Sequence, residues 1–121
     1  MTNVNNQDNR ELKGLNKEHQ QEIIFAVEEK LKTVYDPEFP LVDIFTMGLI
    51  YDIQVEPEEK ECVVTMTFTT PACPMADMIM EMVKNATQEA VPGWDVEVVV
   101  SFEPMWTPKM IKDEDLQRMF E

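Results

Sequence analysis

Cys73 stands in "TFTTPACPMADMIMEM", residues 67–82, after a run of threonines and before a methionine-rich stretch. Pro71 and Pro74 flank it. Pro74 suits the first position of a helix, where its missing N–H has no intrahelical partner to lose. Cys73 is then expected at or beside the helix N-cap, facing free backbone N–H groups and the positive end of the dipole. A thiolate is favoured in that setting, so Cys73 is expected to be the more reactive of the two thiols. The competing reading is a small apolar side chain filling a corner. Thr69 and Thr70 offer hydroxyls beside the sulfur, or simply strand-end β-propensity. A second stretch, "YDPEFP" at 35–40, brings Asp36 and Glu38 around one proline. Two carboxylates so spaced suit acid–base work or a cation, and equally a solvated turn after a helix stop. In "EPMWTP", residues 103–108, Trp106 between two prolines reads as a docking anchor or as core packing.

Other reactive groups carry less. Cys62 shares a strand face with Val64, Met66 and Phe68 and reads as core. It lies eleven positions from Cys73 in a chain with no C-x-x-C pair, so no disulfide is expected. His19 is the single histidine, set among charged residues, which leaves Cys–His and Ser–His catalysis without a base. Met75, Met78 and Met82 recur at helical spacing and are expected to fill a core rather than bind copper.

Periodicity locates the elements that would position these groups. Residues 1–16 are polar, without a repeat, and are expected to form a flexible tail ahead of a single domain at 17–121. Ile23, Val27, Leu31 and Val34 mark an amphipathic helix that Pro37 should end. "GLIYDIQVE" and "CVVTMTFT" alternate around the polar "PEEKE" and predict a hairpin, with Thr65, Thr67 and Thr69 on the outer face. A second helix comes after Cys73 and stops at "VPGW". Residues 94–102 form a third strand, and 113–120 a short closing helix. The predicted fold is α+β, a single small domain in the order α-β-β-α-β-α. Its small mixed three-stranded sheet has helices packed mainly on one face and a partly open second face.

Composition narrows the partners. Acidic side chains outnumber basic ones 24 to 10, for a net charge of −14. Such a surface repels phosphate backbones and anionic membranes, so neither nucleic acid nor a membrane is an expected partner. No run reaches the roughly 18–20 apolar residues of a membrane span. The first residues lack an apolar signal region, which points to the cytoplasm.

"VYDPEFP", "MGLIYDIQV", "VTMTFTTPACPM", "VPGW" and "EPMWTPKMI" occur in this order across residues 20–121. Together they resemble the SufT/PaaD-like family of metal–sulfur (iron–sulfur) cluster assembly proteins. The resemblance implies a small α/β domain that assists maturation of iron–sulfur proteins. It implies that Cys73 is the functional thiol, with Asp36, Glu38, Thr69, Thr70 and Trp106 as supporting or binding residues. The family usually has an acid where this chain has Thr46 in "FTMGL", which removes a carboxylate from that point.

The resulting expectation is an accessory factor in iron–sulfur cluster assembly or delivery, non-catalytic, working with the assembly machinery or client proteins. No tightly bound cofactor is expected. Cys73 would touch iron or an iron–sulfur cluster only transiently, and a lone cysteine would need a homodimer or a client to complete the ligand set. Two alternatives stay open: a PaaD-like adaptor module that docks through its acidic surface, and a small thiol enzyme.

Overall fold

The computed structural model describes the backbone of residues 2–37 and 39–120, with side chains from residue 17 onward except at 38 and 39. Helix α1 spans Thr2–Leu31. Val27 and Leu31 on it are fully buried, and Ile23 and Ile24 pack beside them, as their spacing requires. The backbone is already helical from Thr2, well before the expected start at Lys17. Glu, Leu, Lys and Gln in that stretch extend a helix once a packed segment has nucleated it.

The helix ends at Leu31, several residues ahead of Pro37. The chain then forms a second small sheet rather than a solvated turn. Strand β1 (Tyr35–Asp36) pairs antiparallel with β2 (Phe39–Asp43), with Tyr35 opposite Asp43 and Asp36 opposite Phe39. The Ile44 N–H donates to the Val34 carbonyl at 2.9 Å and ties this hairpin to the end of α1. A two-residue strand carries too little pattern for periodicity to reveal it.

The main sheet has the order β3-β4-β5. Strands β3 (Ile50–Glu56) and β4 (Glu61–Met66) form the expected antiparallel hairpin, and Lys60 takes a left-handed conformation, φ 56°, in its turn. Strand β5 (Asp95–Val100) runs parallel to β4 after the crossover helix α2 (Ala76–Ala90). Helices α1 and α2 pack on each other, α1 also on β3 and α2 on β5. Cys62, Val64 and Met66 face them fully buried, while Asp52, Gln54 and Glu97 on the opposite face are exposed. This is the predicted α+β domain, helices on one side of a small mixed sheet, with the β1–β2 ribbon added.

Two departures from simple alternation sit at one end of the sheet. The register shifts between Ile50 and Asp52, leaving Tyr51 as the extra residue of a bulge. Bulges re-aim a side chain, and the Tyr51 hydroxyl donates to the Pro104 carbonyl at 2.6 Å. Thr67, expected outside, is fully buried. The chain has left β4 by then, and the Thr67 N–H bonds the Leu49 carbonyl at 2.8 Å. The closing helix α3 (Glu114–Met119) starts where the acidic residues suggested. The Asp113 carboxylate accepts from the Asp115 and Leu116 amides.

Candidate functional site

Ile50, Met66 and Val100 lie level across the main sheet. Three connections therefore meet at the carboxyl ends of β4 and β5: the turn at 43–49, the cysteine loop at 67–75 and the segment at 101–107. In sheets with parallel strands, this end is where loops are free to build a site. Backbone bonds hold the connections in place. The Ser101 N–H donates to the Met66 carbonyl at 2.9 Å, and the Thr67 N–H to the Leu49 carbonyl at 2.8 Å.

Cys73 is half-buried and packs against the core edge, neither sealed nor fully solvated. Its position relative to α2 corrects the sequence expectation. The N-cap is Met75, without a side-chain capping bond. Pro74 precedes the cap instead of occupying the first helical position. Residues 73–76 form a turn closed by the Ala76 N–H on the Cys73 carbonyl at 3.3 Å. Pro74 sits where proline is favoured in a type I turn, and Met75, at φ −99° and ψ 13°, has the conformation of the next position. Proline served the turn rather than the helix, because its fixed φ suits both. The thiol thus stands two residues ahead of the cap.

The remaining sequence candidates divide. The Thr70 hydroxyl accepts the Ala72 N–H at 3.3 Å, a local turn that shapes the cysteine loop. Thr69 is exposed. Trp106 is half-buried and acts as a brace. Its indole N–H donates to the Met47 carbonyl at 2.8 Å, and Phe120 meets its ring edge-on at 6.3 Å. It ties the 101–107 segment to the 43–49 turn. Asp36 lies half-buried at the tip of the β1–β2 hairpin. Glu38 lies outside the described residues. Among the described residues, no group of three or more His, Cys, Asp or Glu side chains is placed to hold a metal ion. Cys62 is core, and burial pushes its thiol up to about 11 from the ordinary 9.0.

Sequence reasoning missed the bracing residues. Asp43 accepts from both the Thr46 amide and the Thr46 hydroxyl, each at 2.8 Å. Thr46, where an acid was expected by resemblance, is the donor that this aspartate needs. The D-x-x-T spacing was a legible capping signal. Gly48 takes φ +81° beneath the Met110 carbonyl, and the Lys112 N–H donates to the Thr46 carbonyl at 2.8 Å.

The sequence profile described as "Iron-sulfur cluster assembly protein" matches residues 25–100. The chain belongs to this family. The matched region holds Asp36, Thr69, Thr70 and Cys73 and stops before Trp106. A Porphyromonas gingivalis protein named Fe-S protein maturation auxiliary factor is 40% identical over 84 residues, 69% of this chain and 78% of the relative. The Staphylococcus aureus Fe-S protein maturation auxiliary factor SufT is 38% identical over 78 residues, 64% of this chain and 86% of its own. A crystal structure of a DUF59 domain of unknown function from Bacillus anthracis superposes with a TM-score of 0.75 at 32% identity. It covers 85% of this chain and 95% of that one. The fold of this family member is therefore that of a solved family structure. Among its described residues, no helix is long and apolar enough to cross a membrane.

Proposed function

We propose that this protein is an accessory factor in iron–sulfur cluster assembly or delivery, acting in the cytoplasm on client proteins or the assembly machinery, with Cys73 as its working thiol. The observation that carries this reading is a half-buried cysteine on the braced loop at the carboxyl end of β4, in a chain of the iron–sulfur cluster assembly family. The loop is held on both flanks, by the Thr67 amide before it and by the Cys73–Ala76 turn after it. A sulfur so held can be offered to a partner without reordering the chain.

One thiolate does not satisfy iron or a cluster, which usually takes four. Cys73 would supply one ligand to the cargo, with the others from a client or a second copy. Asp36 on the β1–β2 hairpin, with Glu38, is proposed to bias the approach of a cation rather than to enclose it. Thr69, exposed on the same loop, and Trp106, through the 43–49 turn, would shape the surface presented to the partner.

The test is anaerobic incubation of the protein with ferrous iron, sulfide and an apo client, followed by visible absorption and client activity. Wild type should accelerate client reconstitution, and Cys73→Ser should lose that effect while keeping its far-UV circular dichroism. Equal acceleration by Cys73→Ser removes the thiol from the mechanism. In that case, if the protein still co-purifies with clients, the adaptor reading replaces the carrier reading.

A further inference from the structure

The main sheet leaves β5 at its edge, with no strand neighbour on its outer side among the described residues. Two bonds set the phase of its backbone. The Asp95 N–H reaches across to Lys60, and the Ser101 N–H to Met66, each at 2.9 Å. In a parallel strand, the N–H and C=O of one residue point to the same side, and successive residues alternate. Glu97 and Val99, in phase with Asp95 and Ser101, face β4. The N–H and C=O groups of Val96, Val98 and Val100 therefore point outward, and they are the groups a further strand would pair with.

Beside this edge runs a groove of about 450 Å³ between β5 and α2. Asp77, Met80, Glu81 and Lys84 line it from one face of the helix, at the i, i+3, i+4, i+7 spacing. Val96 and Val98 form its strand wall, with Glu97 at the rim. The lining residues thus carry three carboxylates, those of Asp77 and Glu81 on the helix and Glu97 at the strand rim, and one ammonium, Lys84. Among the described residues, none of the three carboxylates is in an ion pair.

We propose that the β5–α2 groove takes an extended basic segment of a partner protein, which adds as a strand to the outer edge of β5. Main-chain bonds to Val96, Val98 and Val100 would supply affinity. Alternate side chains of the segment would lie over Met80 or reach Asp77, Glu81 and Glu97, which selects Lys and Arg. At about 3.3 Å per residue, the six residues of β5 accommodate a segment of about six residues. A second copy of this chain is disfavoured as the occupant. It would set Asp95 and Glu97 of two edges against each other, and like charges on adjoining strands destabilise pairing. The proposal does not rest on the reading of Cys73.

The test is a titration of the isotopically labelled full chain with the peptide acetyl-Val-Lys-Val-Arg-Val-Lys-amide at low salt, followed by amide shifts and hydrogen exchange. Shifts and slowed exchange are expected at Val96, Val98 and Val100. Charge reversal with Asp77→Lys and Glu81→Lys together should weaken binding by about tenfold or more, as should salt near 0.3 M. Val98→Pro deletes one outward N–H while sparing the ladder to β4, and should abolish the protection. A peptide N-methylated at alternate amides keeps its charge but cannot pair as a strand, and should fail against the unaltered protein. The proposal is overturned if the methylated peptide binds equally well, if the shifts map elsewhere or if no binding occurs. It is likewise overturned if the edge amides become protected with rising protein concentration alone, the signature of a second copy.

Discussion

Gly48→Ala and Gly93→Ala should differ sharply in cost, and the difference measures how firmly the C-terminal segment is clamped to the 43–49 turn. Both glycines lie in the left-handed region, at φ +81° and +80°. That conformation costs an L side chain about 1–2 kcal/mol, a penalty common to the two variants. A Cβ on Gly93 meets nothing within 4 Å. A Cβ on Gly48 would stand 2.2 Å from the Met110 carbonyl oxygen and 2.7 Å from its carbon. These are backbone atoms and cannot rotate away, so the 3-10 turn Pro108–Met110 must retreat by roughly an ångström to restore van der Waals contact. The retreat pulls on the Lys112-to-Thr46 bond, worth about 1 kcal/mol. It also lifts Ile111 from its buried site, where full burial is worth about 2 kcal/mol. Gly48→Ala should therefore cost about 3–5 kcal/mol and Gly93→Ala about 1–2 kcal/mol. Urea unfolding monitored by far-UV circular dichroism gives both values. If the two variants cost the same within about 0.5 kcal/mol, the segment is not clamped as described, and the bracing of the site by its C-terminal side fails.

The buried Cys62 thiol makes stability fall at high pH. Its folded pKa is raised from 9.0 to about 11, so the unfolded chain loses this proton first. The contribution is complete below pH 9.0 and is lost progressively as pH rises to about 11. About 2–3 kcal/mol is at stake, and Cys62→Ala should flatten that part of a stability-against-pH curve relative to wild type. Asp43→Ala removes the acceptor of both Thr46 bonds and should cost about 1–2 kcal/mol in urea denaturation, with Asp43→Asn recovering part of it. Trp106→Phe leaves the Met47 carbonyl without its indole donor. It should cost about 1–2 kcal/mol and accelerate hydrogen exchange in the 43–49 turn, whereas a pure docking anchor would change neither.

The legible parts of this protein were those whose side chains repeat. Val55, Cys62, Val64 and Met66 alternate, and Ile79, Val83 and Ala86 recur at helical spacing, because one face of each element must leave water. These patterns located the hairpin, the crossover helix and the third strand to within a few residues. Met78 shows the limit: its spacing put it with the helix core, yet it is half exposed, because a neighbouring element rather than spacing sets the width of the buried stripe. The β1–β2 ribbon was too short for a pattern. Pro74 could initiate either a turn or a helix, and only the closed 73–76 turn distinguishes them.

The order of the helices and of the three main-sheet strands, the acidic composition, the core role of Cys62 and the family resemblance through "TTPACP" were all readable from the amino-acid order. Each depends on residue type or local period and survives without knowledge of what packs where. Folding in three dimensions is what brings Trp106 to Met47 and Lys112 to Thr46. It also sets Gly48 beneath Met110 and leaves β5 without an outer strand neighbour among the described residues. Those facts depend on contacts between segments far apart in the chain, or on a neighbour's absence. They arise only when hydrophobic burial has brought the carboxyl ends of β4 and β5 and the start of β3 to one level.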